Sequence, residues 1–290
     1  MSAPEAPATT VKSRQFGLSY PIELVLGAAF GLLILVLILF RESLQVHDPY
    51  AGDLLRRFLP VGTPSHLLGT DNLGRDLWSR LLEGIAWSLS AASIATLFAF
   101  VLGTGAGLVA AQYPGVVRTI VNQVVDTVLS FPNLIIAIIV VAVIGRGFWP
   151  LTLTLGLVSW PVFARVVFAE SLSLLERDFV VAARTFGAPT RHILIGHVLP
   201  GLRPTLTVML AFHFADMLVT ESALSFLGLG APLGVPTWGN LLQDSRDFLF
   251  VAPWLMAVPA GGIVFAVMTV NLIGDGLASL LRRRGRRIDL

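Results

Sequence analysis

The residues able to do chemistry are few and mostly set in apolar surroundings. His213 and Asp216 stand three apart, and Glu221 follows, all within the apolar stretch Leu206 to Leu229. Ionisable groups in such stretches are costly and face a bundle interior or water. The three could therefore relay protons, or line a pathway that favours a cation or an amino group; plain hydrogen bonding is the competing role. Asp126, in the middle of the apolar stretch Val117 to Ile144, is open to the same two readings. A hydrolase would need a nucleophile paired with a base; His213 with Ser222 is the candidate, and no oxyanion-site motif accompanies it. His192 and His197 are five apart with no thiol or nearby carboxylate pair, which is poor metal spacing, so no metal site is expected. GTDNLGRD, from Gly69, lacks the GxxxxGK[ST] arrangement that cradles phosphates. GTGAG, from Gly103, lacks the further glycine of a dinucleotide fingerprint, because Leu108 occupies that place. Its Gly103 and Gly107 instead form a GxxxG pair suited to close helix packing within a membrane.

The elements that would position these residues are set by composition. Of the 290 residues, 55% are hydrophobic and 13% charged, and mean hydropathy is +0.79. Soluble domains carry a charged fraction of about 25%, so the chain is a membrane protein. It contains no cysteine, hence no disulfide framework or thiolate site. Nucleic-acid binding has no support: the one dense basic run, Arg282 to Arg287, directly follows an apolar span.

Read in order, residues 1–21 form a polar tail with Lys12 and Arg14, and 22–40 form a first transmembrane helix. That stretch nears the roughly 20 residues needed to cross a bilayer. It exceeds a signal-peptide core of about 7 to 15 residues and no small-x-small site follows, so it is read as retained. Residues 41–84 are an external segment. Within it Asp71 precedes Arg75 by four, and Asp76 precedes Arg80 by four, spacing that allows ion pairs on one helix face. Leu73, Leu77, Trp78, Leu81 and Leu82 fall on the other face, predicting an amphipathic helix lying on the membrane surface. Residues 85–281 then hold five spans: Ile85–Gln112, Val117–Ile144 kinked at Pro132, Leu151–Phe168, Leu206–Leu229 and Val251–Leu281. A polar loop, 170–204, separates the last two of these from the rest, and an exposed loop, 230–250, lies between those two. Residues 282–290 are a basic tail. The expected fold is all-α and polytopic, with six transmembrane helices. Placing the N-terminus inside puts Lys12, Arg14, Arg118, Arg165, Arg177, Arg184, Arg191, Arg203 and the tail arginines on the inner side. Arg41, Arg56, Arg57, Arg75, Arg80, Arg146 and Arg246 fall outside. The positive-inside rule then puts both termini and the 170–204 loop in the cytoplasm.

The 170–204 loop reads as a helix that stops at Gly187, a residue suited to the left-handed C-terminal position. Pro189 suits the first turn of a second helix. Ala182 and Ala183 keep one side of this helix–turn–helix small, so that a partner's groove could approach the backbone.

Ala182-Ala183, Gly187 and Leu199-Pro200 resemble the EAA loop of bacterial ABC importer permeases. Val181 stands where the naming glutamate would be, and His197 where isoleucine is frequent; both departures are similar to those of the dipeptide/oligopeptide/nickel branch. HLLGTDNLGRDLWSRLLEG, which includes Gly69, Thr70, Asp71, Gly74, Arg75 and Asp76, resembles the external HxLGTDxxGRDxxSRLxxG stretch of that branch's C-type permease. SFPNLIIAI from Ser130, ESALSFLGLG from Glu221, PTWGNLL from Pro236 and NLIGDGL from Asn271 resemble further segments of it. The resemblance covers about residues 60 to 280; the basic ASLLRRRGRR ending departs from the family's acidic one. It implies the fold of the MetI-like importer permeases and a place in the bacterial inner membrane. It also implies a B-type permease as partner in a heterodimer, two ATPases and an extracytoplasmic binding protein. The ATPases would dock on Ala182, Ala183, Arg184, Gly187, Ala188, Pro189 and Arg191. This chain would then bind no cofactor and do no covalent chemistry, ATP and Mg²⁺ being held by the ATPases. The expected cargo is short peptides, with nickel or another small solute as the alternative. A proton-coupled secondary transporter would show an internal repeat, and none is visible.

Overall fold

A computed structural model describes residues 21–288, with side chains as far as Leu281. Lys12 and Arg14 of the expected N-terminal tail lie outside the described residues. Among these, the regular elements are helices: α1 (Ile22–Leu39), α2 (Arg41–Leu44), α3 (Leu77–Gln112), α4 (Val116–Leu129), α5 (Asn133–Ile144), α6 (Phe148–Leu175), α7 (Asp178–Thr185), α8 (Thr190–Ile193), α9 (Leu199–Phe226), α10 (Trp238–Ser245) and α11 (Trp254–Ile288). Five of the helical stretches are long and apolar enough to cross a membrane: α1, α3, α6, α9 with its lead-in, and α11. The pair α4 and α5 makes a sixth only as a span bent by 88°.

Two expectations are corrected here. The first concerns Val117–Ile144, which is two helices rather than one kinked span. Pro132 caps α5 with ψ 124, and a proline also pushes the residue before it away from helical geometry. The second concerns the surface helix of the external segment. Residues 65–76 are turns, and Leu77 begins a 36-residue helix that continues into the membrane. The start is fixed by Asp76, whose carboxylate accepts the Ser79 N–H at 2.8 Å as an N-cap. At about 1.5 Å per residue α3 is about 54 Å long, so it extends past a hydrocarbon core of about 30 Å. The backbone of α11 stays helical through Ile288, so the start of the basic tail continues the last helix.

Glycines set the closest helix approaches. A side chain at Gly103 would strike the Trp160 carbonyl and Phe163, and one at Gly107 would meet the Ala164 carbonyl at 2.7 Å. The GxxxG pair therefore seats α3 on α6. On the other flank, Gly27 of α1 lies against the Ile273 backbone and Gly276 of α11 against Leu24. Such small-residue contacts suit a lipid setting, where dispersion and close packing replace the hydrophobic effect between helices.

Two buried clusters fill the bundle. One joins Leu77, Leu89, Leu155, Met217, Leu224, Trp238 and Leu255. The other joins Phe163, Val167, Leu174, Val180, Ile193, Val198 and Leu202. The second roots the segment between α6 and α9, since Val180, Ile193 and Val198 are each no more than 2% exposed.

Candidate functional site

The α7–α9 segment is built from local rules. Asp178 occupies the first turn of α7 and Arg184 its last, charges that complement the helix dipole. The helix closes in a Schellman arrangement: Ala188 N–H donates to the Ala183 carbonyl and Gly187 N–H to the Arg184 carbonyl, both at 3.0 Å. Gly187 has φ +80, the left-handed value that this closure needs, and a side chain there would meet nothing within 4 Å. Pro189 caps α8, and a π-turn from Leu194 to Val198 carries the chain into α9. In that turn Leu199 N–H reaches the Leu194 carbonyl. Pro200 explains the widening: it has no N–H for the Gly196 carbonyl, and its ring would crowd that carbonyl in a regular helix.

The loop presents side chains outward. Ala182, Arg184, Gly187, Pro189 and Arg191 are exposed, and Ala183 and Ala188 are half-buried. Phe186, at the tip, is 90% exposed, and Phe179 and Val181 are half-exposed. An open hollow of about 350 Å³ lies beside Pro189, Arg191, His192, Ile195 and Gly196. Phe186 was not among the residues selected from sequence.

The external stretch is a polar lock. Asp71 Oδ1 accepts from the Leu73 and Arg75 backbones at 2.9 Å, and Oδ2 takes Arg75 Nε at 2.7 Å. Arg80 Nε lies 3.5 Å from the same Oδ2. Arg75 and Arg80 both reach Asp244 of α10, at 3.6 and 3.4 Å. Burial holds the Asp244 carboxyl above the ordinary aspartate value, the Arg80 and Arg75 guanidiniums working against that shift. Thr70 Oγ1 donates to the Arg56 carbonyl and accepts from Leu59 N–H at 2.9 Å. Gly69 and Gly74 have φ +80 and +73, and any side chain there would run into the Leu59 or Asp53 carbonyl. The expected Asp71–Arg75 pair therefore forms, across a turn and not along a helix. The expected Asp76–Arg80 side-chain pair does not: Asp76 turns to Ser79 and His66.

The ionisable residues of the spans do not assemble into one site. His213 is buried with its ring edge-on to Phe163, centroids 4.8 Å apart, whereas Asp216 is exposed. Glu221 is corrected as a candidate for lining a pathway: it is fully buried and accepts from Ser225 Oγ at 2.8 Å, with Ser222 Oγ at 3.4 Å. Ser222 donates to the Leu218 carbonyl, so it is not paired with His213 as a nucleophile. Asp126 forms an exposed ion pair with Arg165 of α6. His192 and His197 lie edge-on, 5.4 Å apart, with no third ligand beside them among the described residues.

A bundle whose spans pack through glycines, interrupted by a projecting helix–turn–helix just before a long apolar helix, is matched by known proteins. A family model described as "Binding-protein-dependent transport system inner membrane component" matches residues 103–287. The chain belongs to this family. This inner-membrane transport component is 33% identical over 257 residues to the dipeptide transport system permease protein DppC of Alkalihalophilus pseudofirmus, covering 88% of this chain and 84% of that one. It is 35% identical over 258 residues to the glutathione transport system permease protein GsiD of Pectobacterium atrosepticum, covering 88% and 86%. The di/tripeptide transport system permease protein DppC of Pseudomonas aeruginosa is 34% identical over 262 residues, with 88% and 86% covered. Among solved structures, the MetNI methionine ABC transporter in inward-facing conformations shares the fold, with a TM-score of 0.58 at 20% identity, covering 69% of this chain and 95% of that chain.

Proposed function

We propose that this inner-membrane component is the C-type permease subunit of an importer for short peptides. It would form the pathway with a B-type permease, receive cargo from an extracytoplasmic binding protein and be driven by two ATPases. The observation that carries the reading is the loop from Asp178 to Val198: it is rooted by buried Val180, Ile193 and Val198 yet presents Phe186, Arg184 and Arg191 around an open hollow. A rooted, outward-facing loop continuous with α9 can pass a partner's movement to a membrane span. The ATPases would hold ATP and Mg²⁺; this chain supplies the contact surface and the path. The arginine distribution supports a cytoplasmic location for this loop and for both termini. The peptide assignment rests on relatives whose names specify dipeptides, di/tripeptides and glutathione.

Asp216 is an in-span carboxylate exposed on α9. Facing the pathway, it would favour the amino group of a peptide. The experiment is co-expression with the neighbouring permease and ATPase genes, followed by reconstitution. Wild type is expected to show ATP hydrolysis stimulated by loaded binding protein, together with peptide uptake. Gly187→Trp is expected to assemble but lose stimulation, and Asp216→Asn to lower uptake with assembly intact. Failure of the chain to co-purify with any ATPase refutes the docking reading. Uptake of nickel or another small solute in place of peptide reassigns the cargo. Unchanged uptake in Asp216→Asn removes that residue from the pathway.

A further inference from the structure

We propose that His47, His66 and Asp76 form a binding site for a divalent transition-metal ion of the zinc class. One ligand atom from each lies within 4.8 Å of those of the other two. Asp76 divides its carboxylate between two tasks. Oδ2 accepts from Ser79 N–H and Ser79 Oγ, both at 2.8 Å, capping α3. Oδ1 faces His66 Nδ1 at 2.9 Å and His47 Nδ1 at 4.0 Å. The last distance is too long for a hydrogen bond, but two ligands held about 2.0 to 2.2 Å from one zinc ion can be separated by nearly that much.

Without an ion the cluster is poorly satisfied. The His66–Asp76 hydrogen bond accounts for His66 Nδ1, while His47 Nδ1, which faces the same carboxylate oxygen, is buried with no partner. Buried polar atoms rarely stay unpaired, and two imidazoles sharing one carboxylate oxygen are the donor set that zinc and its neighbours take. Magnesium and calcium prefer oxygen cages. The surroundings suit a cation: the adjoining cavity of about 210 Å³ also carries Asp48, Asp53 and Arg56 on its wall, and Arg56 is engaged with Asp53 at 3.4 Å.

The cluster is also positioned from outside. His47 N–H donates to Ser79 Oγ at 3.3 Å, and Trp78 Nε1 donates to the Leu44 carbonyl at 3.0 Å, so the chain around His47 is fastened to the start of α3. The two rings are stacked, centroids 4.5 Å apart and 21° from parallel. In-plane lone pairs of near-parallel rings do not converge, so ligation requires the His47 ring to turn. His47 is the more exposed of the two, its side chain 35% accessible, and borders the cavity into which it would move. An ion held there would pin the segment after α2 to the first turn of α3.

The test uses the full-length chain in lipid nanodiscs, purified on a tag without histidine and stripped of metal. Zn²⁺ binding is measured by equilibrium dialysis with elemental analysis, and thermal unfolding is followed with and without Zn²⁺. One Zn²⁺ per chain and a raised Tm are expected. His47→Ala and His66→Ala should each weaken binding by more than about tenfold, the loss that follows removal of even an outer partner of a metal ligand. His192→Ala, at the other histidine pair, should bind as wild type. Binding that is absent, unchanged in His47→Ala, or abolished in His192→Ala overturns the proposal. Should His66→Ala fail to fold, His47→Ala decides alone, because that side chain borders open space.

Discussion

Arg80 and Phe186 are each out of character for their residue type: the guanidinium is 1% exposed and the phenyl ring 90% exposed. Arg80 is buried because two carboxylates, Asp71 and Asp244, and the Pro49 carbonyl meet it. Phe186 is exposed because the chain turns at Gly187 before it can pack. At the first end of the bundle Asp71, Arg75, Arg80 and Asp244 meet one another, which fixes α3 against α10. At the second, apolar and basic side chains stand exposed on a rooted platform, which suits the docking role proposed for it. The contrast sets a stretch whose charges are paired against a loop with the exposure that an interface needs, although both contain glycines in the left-handed region.

The largest effect should come from the lock. Asp71→Ala leaves two buried guanidiniums sharing Asp244 alone, and removing one partner of a buried pair costs about 3 to 5 kcal/mol. Denaturation in detergent should show that loss, and a change below about 1 kcal/mol would break the comparison at this end. The two glycine turns come next. Gly187→Ala bears only the left-handed penalty of about 1 to 2 kcal/mol, because the space around it is open. Gly74→Ala adds a collision with the Asp53 carbonyl and should be the more destabilising of the two in the same assay. Equal losses would mean that the external turn is less tightly built than described. Phe186→Ala should leave stability within about 0.5 kcal/mol, as for surface changes without a special role. Its effect should instead appear in assembly with the proposed ATPase, where a central aromatic anchor is worth more than about 2 kcal/mol. Pull-down affinity measures this, and full retention would remove Phe186 from the interface. Smallest of all is Asp126→Asn: exposed ion pairs contribute about 0 to 1 kcal/mol, so the unfolding midpoint of the isolated chain should hardly move.

The turn at Gly187 was legible in the sequence because it depends on a single residue's backbone freedom and on the proline two positions on. The GxxxG contact was legible for the same reason, since a glycine at Gly103 or Gly107 implies a close neighbour whichever helix supplies it. Span content was legible too, though the bend between α4 and α5 was not. Proline marks an interruption but does not fix its angle, which is 88°. The surface helix expected over Asp71 to Glu83 failed because its i, i+4 charge spacing is equally compatible with a turn, and Gly74 with φ +73 made it one. For Glu221 the cost of burying a charge leaves a pathway role and plain hydrogen bonding both open in the sequence. Ser222 and Ser225, which accommodate it, also lie on α9, but their hydroxyls count only once the side-chain directions are known.

By itself, the sequence determined that this chain crosses a membrane, roughly where, and that a polar helix–turn–helix precedes one of the later spans. Those features follow from composition, hydrophobic run length and the preferences of glycine and proline, all of which act locally. Only the tertiary structure decided which polar groups meet. Arg80 finds Asp244 across 164 positions, and His47 is brought against His66 and Asp76 by the return of the chain to the start of α3. Pairing depends on distance through space and on exclusion of water, and neither is written in the order of residues.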